Sequence, residues 1–115
     1  MAIRVDLTIE QGATFTDESL LVDADGEVID LTGYTARMDI KADIADTDPV
    51  ISLTTDNGRI IITPSAGSVL LYLDPAETAA ISIERGVYDL EVVSAGGDVT
   101  RLMQGAVVVD LNVTV

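Results

Sequence analysis

Closely spaced acidic residues are the first candidates for chemistry in this chain, because carboxylate oxygens are the usual ligands of calcium. Asp23 and Asp25, followed by Gly26, have the spacing with which a calcium loop begins. The stretch lacks two further ligand positions and the glutamate at the twelfth place that an EF-hand loop requires. A second acidic group, formed by Asp43, Asp46 and Asp48, could bind a cation between subunits. The candidate metal ligands are therefore Asp23, Asp25, Asp43, Asp46 and Asp48. We interpret the first group as a solvated turn and the second as a charged loop, so the sequence predicts no metal site.

Two of three further carboxylates could instead form the catalytic pair of a glycoside hydrolase. Such a pair requires two acids that face one cleft at a set separation. Asp39, Asp89 and Glu91 lie on the outward faces of candidate central strands, where two of them could be neighbours. Cross-strand pairing with Arg37 or Lys41 explains these acids more simply. We therefore expect no catalytic pair here.

Several residue types that serve in catalysis are missing from the sequence. The chain has no cysteine, histidine or tryptophan, which excludes thiol nucleophiles, histidine bases and the usual zinc sites. It contains no nucleophile elbow, no Ser-x-x-Lys pattern and no glycine-rich phosphate loop. The sequence predicts a protein that is not an enzyme and that uses no cofactor.

The net charge of the chain is −14, from 20 acidic and 6 basic residues. Such a chain repels phosphates, which disfavours nucleic acid and anionic membrane surfaces as partners. No segment is long and apolar enough to span a bilayer, and the N-terminus lacks the features of a secretory signal. Any self-assembly must use apolar area, backbone pairing or cation bridges.

The elements that would position these residues are strands. Between residues 34 and 41, Tyr34, Ala36, Met38 and Ile40 alternate with polar residues, and this period of two predicts a half-buried strand. We place it at the centre of a sheet.

Further strands are expected on either side of it. Asn57-Gly58 between two apolar runs predicts a β-hairpin, and Phe15, Leu20 and Val22 are expected to be core residues. The last strand should bend at Gln104-Gly105. Expected strands cover residues 3–10, 13–23, 27–31, 50–55, 59–63, 68–73, 87–93 and 99–115.

One short helix is expected near residues 75–80. Asp74 suits the cap, Pro75 the first helical position, and Glu77 the third. A helical turn before a strand that carries a tyrosine, here Tyr88, is typical of immunoglobulin-type sandwiches. We predict an all-β fold, an immunoglobulin-like antiparallel β-sandwich without its disulfide, formed as a single domain over residues 1–115.

Four stretches in this order resemble a group of small virion proteins of tailed bacteriophages. They are Gln11-Gly-Ala-Thr-Phe15 and residues 25–41, 86–92 and 99–107, which include Asp-Leu-Thr-Gly-Tyr34 and Tyr88-Asp-Leu-Glu91. The nearest named relatives are the immunoglobulin-like N-terminal domains of phage baseplate upper proteins. The resemblance implies a structural component of the tail or baseplate that contacts other virion proteins and associates with copies of itself. It would be assembled in the cytoplasm of the host bacterium and reside in the virion.

Strand edges are the expected means of assembly, because an unprotected edge pairs with a neighbour. The last strand runs to the end of the sequence with no polar tail, and the first strand is equally near its terminus. The predicted interaction residues are Val107, Val109, Leu111, Val113 and Val115.

Two other functions remain open at this stage. A capsid decoration module or a host-surface module that binds glycans would fit the size, but only four aromatic residues are present to stack on sugars. An acidic-surface hydrolase would need a cleft lined by two of the carboxylates above.

Overall fold

The computed structural model describes residues 3–111, which form two packed sheets, one short α-helix and one 3₁₀ turn at Pro64–Ala66. The strands are β1 (Ile3–Arg4), β2 (Leu7–Glu10), β3 (Phe15–Leu20), β4 (Thr35–Lys41), β5 (Ile51–Thr54), β6 (Ile60–Thr63), β7 (Ser68–Leu73), β8 (Arg85–Val93) and β9 (Val99–Asp110), and the helix is α1 (Pro75–Ala79). The predicted all-β sandwich with one short helix is confirmed.

The large sheet has the order β1/β2–β9–β8–β4–β5, and the small sheet has the order β3–β7–β6. All pairs are antiparallel except those of β1 and β2, which both run parallel to β9. β4 lies between β8 and β5, so the strand predicted from the period of two is internal to the sheet.

The core lies between the sheets and is filled by one side-chain set from each strand except β1, together with Leu31 and Ile81 from the connections. In β4, Ala36, Met38 and Ile40 are buried and the residues between them face outward, as the alternation predicted. The largest fully buried side chains include Ile9, Leu31, Met38, Ile40, Leu53, Val69, Leu71, Leu73, Ile81, Leu90 and Val107. This apolar layer is what holds the sheets together.

The helix begins as the sequence predicted. The Asp74 carboxylate accepts a hydrogen bond from Glu77 N at 2.8 Å, and the Glu77 carboxylate accepts one from Asp74 N at 2.9 Å. The fully buried Thr78 then ties the helix to the β2–β3 connection, because its hydroxyl donates to Ala13 O and accepts from Gly12 N.

The hairpin predicted at Asn57-Gly58 is wrong. β5 pairs with β4 in the large sheet and β6 pairs with β7 in the small sheet, so the turn joins two layers. Positive φ occurs at Gly58 but not at Asn57, whereas a type I′ turn needs it at both. The Asn57 amide instead holds the turn, since its oxygen accepts from Thr54 N and Arg59 N.

Other expectations about the strands also need correction. The strand expected at 27–31 is reduced to a single bridge between Val22 and Val28. Leu20 and Val22 are not core residues, because they are 64% and 51% exposed, whereas Phe15 is buried. The strand expected at 3–10 is interrupted between β1 and β2.

The irregularity in β9 lies at Leu102, two residues before the predicted bend. Leu90 pairs with Met103 and Glu91 with Arg101, which leaves Leu102 as the extra residue of a β-bulge. Gly105 has a different role: a Cβ there would lie 2.4 Å from Val5 O, so only glycine lets the first strand approach β9 this closely.

Tyr88 contacts the segment between β1 and β2 from the inside of the sandwich. Its ring is buried, and its hydroxyl donates a hydrogen bond to Val5 O. Burial, helped by the negative charges of Asp17 and Asp6, raises the pKa of Tyr88 to about 12.

Candidate interaction face

The outward side of the large sheet carries most of the basic residues of the chain. Outward residues alternate with core residues in each strand, and the pairing registers align them across the sheet. We call this side the charged face. Its basic residues are Arg4, Arg37, Lys41, Arg85 and Arg101, and its acidic residues are Glu10, Asp39, Asp89, Glu91 and Asp110.

The charge of the molecule is therefore distributed unevenly. The strands of the charged face carry five basic and five acidic residues. Asp6, between β1 and β2, adds one carboxylate that pairs with Arg4 at 3.3 Å, so the face is close to neutral. The fifteen acidic residues and one basic residue outside these strands carry the entire net charge of −14. A partner that approaches the charged face meets charges of both signs, whereas every other direction is dominated by carboxylates.

Ion pairs cross the strands of the charged face. Arg37 Nε lies 2.9 Å from Glu91 Oε1, and Arg101 Nε lies 3.5 Å from Asp89 Oδ2. Ser52 Oγ donates to Asp39 Oδ1 at 2.7 Å. The partner role expected of Arg37 or Lys41 is thus confirmed for Arg37, whereas Lys41 forms no ion pair within residues 3–111. Pairs this exposed add at most about 1 kcal/mol each to stability.

Two basic residues of the face form no ion pair within the described residues. Within residues 3–111, neither Lys41 nor Arg85 has a carboxylate within 4.0 Å. Asp39 and Asp89 are direct cross-strand neighbours, an arrangement of like charges that is unfavourable by itself. The face thus combines unpaired cations with two crowded carboxylates.

A shallow depression of about 190 Å³ lies over these neighbours. Asp39, Lys41, Val87, Asp89 and Arg101 are among the residues that line it. Ile44, from the loop after β4, stands beside it with 83% of its surface exposed.

Asp39 and Asp89 are therefore neighbours, as the sequence suggested, but they lie on an open sheet. Asp89 is 43% exposed, and no closed cleft surrounds the two carboxylates. A glycosidase would need its two acids to face a bound sugar from opposite sides.

Three of the five candidate metal ligands, Asp23, Asp43 and Asp46, accept local hydrogen bonds in their own turns. Asp23 Oδ1 accepts from Asp25 N and Glu27 N at 2.9 and 3.0 Å. Asp43 accepts from Ala45 N, and Asp46 accepts from Asp43 N. In the part of the chain that the structure describes, no three acidic side chains converge as a metal site would require.

The described part of β9 does not offer the free edge that the sequence suggested. Val107 and Val109 are 0% and 4% exposed, and β9 pairs with β8 on one side and with β1 and β2 on the other. The return of the first strand along β9 protects this edge. Leu111 is 40% exposed, and the predicted interaction residues Val113 and Val115 lie outside the described residues. The edges that remain open in the described residues are β1/β2 and β5 in the large sheet and β3 and β6 in the small sheet.

Sequence analysis did not identify the charged face as a site. The alternating polar residues of β4 and β8 were visible in the sequence. The placement of Arg4 and Arg85 on the same side required the strand order and the registers with β9.

Comparisons with known proteins give information about the fold alone. No protein-family model matches the chain, and no curated protein does. Among solved structures, a crystal structure of chicken TCR superposes with a TM-score of 0.55 at 14% sequence identity. The match covers 97% of this chain and 57% of the TCR chain. Among the described residues, no helix is long and apolar enough to cross a membrane. The chain has an immunoglobulin-like β-sandwich fold.

Proposed function

We propose that this chain is a structural component of a tailed-phage virion, associated with the tail or baseplate, that acts through protein–protein contacts and not through catalysis. Its partners are other virion proteins and further copies of the chain. The ordered resemblance to small phage virion proteins supports the proposal, and the immunoglobulin-like fold is the one that this resemblance implied.

The observation that carries the proposal is the charged face. It is the outward surface of the large sheet, it is crossed by ion pairs, and the charges on its strands balance in a chain of net charge −14. A surface with balanced charges suits contact with another protein, because complementary charges fix the orientation of the partners. The open carboxylates of Asp39 and Asp89 suit such a contact better than they suit acid–base catalysis.

Purified virions test the proposal. Mass spectrometry of particles produced from the genome that encodes the chain should find it in many copies, and electron microscopy should place it on the tail or baseplate. Particles that form and infect normally without the chain would contradict a structural role.

Capsid decoration and glycan binding are distinguished by the same experiments. Density on the capsid would support decoration, and reproducible binding on a glycan array would support recognition of the host surface. Substituting Asp39→Asn and Asp89→Asn should leave the rate of glycoside hydrolysis measured with the purified protein unchanged, because neither carboxylate has a catalytic role in this proposal.

A further inference from the structure

We propose that the charged face is the contact between two copies of this chain, joined face to face about a twofold axis. The inference rests on the proposed function, since it names the partner of the surface on which that proposal depends. A twofold axis places the same surface of both copies in contact, so the surface must complement itself.

Charge balance favours a second copy at this surface. Two copies of a −14 chain repel each other over most of their surfaces. The strands of the charged face carry equal numbers of positive and negative residues, and Asp6 adds one carboxylate beside Arg4. Contact there therefore brings together far less like charge than contact elsewhere on the molecule.

Two cations without an ion pair and two crowded carboxylates supply the complementarity. Lys41 and Arg85 have no carboxylate within 4.0 Å in the described residues, while Asp39 and Asp89 lie directly opposite each other in the register. A second copy can bring its cations to these crowded carboxylates and offer its own carboxylates in return. The cations of each copy then offset the repulsion between the two neighbouring carboxylates of the other copy.

Ile44 adds an apolar contact to this arrangement. It is 83% exposed beside the depression, where a facing copy would cover it. Removing an aliphatic side chain of this size from water strengthens association by roughly tenfold or more.

The size of the surface predicts a weak dimer. Five strands about 4.8 Å apart and about 25 Å long give an area on the order of 500 Å² per copy. Stable interfaces bury about 800 Å² per partner. The dissociation constant should therefore lie in the micromolar range or above.

Sedimentation over a range of protein concentrations, at neutral pH and moderate salt, is the test. The mass of the wild-type chain should rise from 12.1 kDa to twice that value. Ile44→Ser should weaken the dimer at least about tenfold. Leu20→Ser is the matched control, because Leu20 is also an exposed aliphatic residue, at 64%, but lies on the small sheet. It should leave dimerisation unchanged.

A second pair of variants separates local charge from net charge. Lys41→Glu and the double change Thr16→Glu/Thr63→Glu each lower the net charge by 2, but only Lys41 lies on the charged face. Lys41→Glu should weaken the dimer more than the double variant does. Far-UV circular dichroism confirms that each variant is folded.

Cross-linking gives an independent readout, because the chain has no native cysteine. Gln104→Cys, opposite Asp89 near the middle of the face, should form a disulfide dimer under mild oxidation faster than Thr16→Cys on β3. Equal rates, or a wild-type chain that stays monomeric at all concentrations, would overturn the inference. So would a dimer that Leu20→Ser weakens and Ile44→Ser does not.

These outcomes are distinct from those of the proposed function. A monomeric chain that is present in purified virions would refute the dimer and leave the virion role intact. A chain that dimerises in solution but is missing from virions would refute the virion role and leave the dimer intact.

Discussion

Substituting Gly105 by alanine should destabilise the protein through one close backbone approach. A Cβ at this position would lie 2.4 Å from Val5 O and 2.9 Å from the Val5 carbonyl carbon. Ordinary C···O contacts are about 3.3 Å, so the segment between β1 and β2 must move by roughly 1 Å. Backbone cannot yield as the end of a flexible side chain does.

The magnitude follows from what that movement disturbs. Val5 N donates to Gln104 O at 3.0 Å, Ala106 N donates to the Asp6 carboxylate at 3.0 Å, and the Tyr88 hydroxyl donates to Val5 O. Overpacking costs about 1–3 kcal/mol, and each weakened hydrogen bond adds up to about 1 kcal/mol. The reduced freedom of the unfolded chain returns about 0.4–1 kcal/mol. We expect a net loss of about 2–3 kcal/mol in the free energy of unfolding.

Urea unfolding followed by circular dichroism measures this loss. Gly96→Ala is the matched control, because a Cβ there would have no atom nearer than Ser94 Oγ at 3.9 Å. Hydrogen exchange should show faster exchange of the β2 amides in Gly105→Ala. A Gly105→Ala protein as stable as Gly96→Ala would refute the argument that glycine is needed for the approach of the first strand.

Three further predictions concern polar groups that are buried or partly buried. The pKa of Tyr88 is raised to about 12 in the folded protein, so the stability that the protonated hydroxyl contributes is fully present below its unfolded pKa near 10 and is lost as the pH rises from about 10 to 12. Tyr88→Phe should remove this part of the alkaline unfolding profile and lower the free energy of unfolding at neutral pH by about 1 kcal/mol. Burial raises the pKa of Asp17, so the ionised carboxylate is unfavourable in the fold; Asp17→Asn should raise the melting temperature at pH 7, with a smaller gain once the pH falls below the ordinary Asp pKa of 3.8, and an equal gain at both pH values would contradict this. Thr78→Val keeps the side-chain shape but leaves Gly12 N and Ala13 O without their partner, which should cost about 2–3 kcal/mol in urea unfolding; an unchanged midpoint would mean that these groups find other partners.

Local sequence signals succeeded where the structure is decided by neighbours in the chain. The helix cap depends on Asp74, Pro75 and Glu77, which are within four positions of one another, and β7 was expected over the residues that form it. The alternation in β4 predicted its buried side because side chains in any strand alternate between faces.

Signals that depend on strand pairing misled the prediction. Asn57-Gly58 is compatible with a hairpin, but β5 and β6 each pair with a longer strand in a different sheet. The last strand looks like an open edge in the sequence, yet β1 and β2 cover it. Leu20 has the hydrophobicity of a core residue and lies on the outer side of β3.

The sequence alone determined the kind of secondary structure, the buried side of its central strand and the classes of chemistry that its composition excludes. These follow from the period of side chains along one strand and from the residue types present. The tertiary structure decided which strands are neighbours, and with them the charged face. Arg4, Arg85 and Arg101 are far apart in sequence and share a surface only because β1, β8 and β9 lie side by side. Backbone hydrogen bonds can join any two strands, so the choice among them depends on how both sheets bury their apolar sides together.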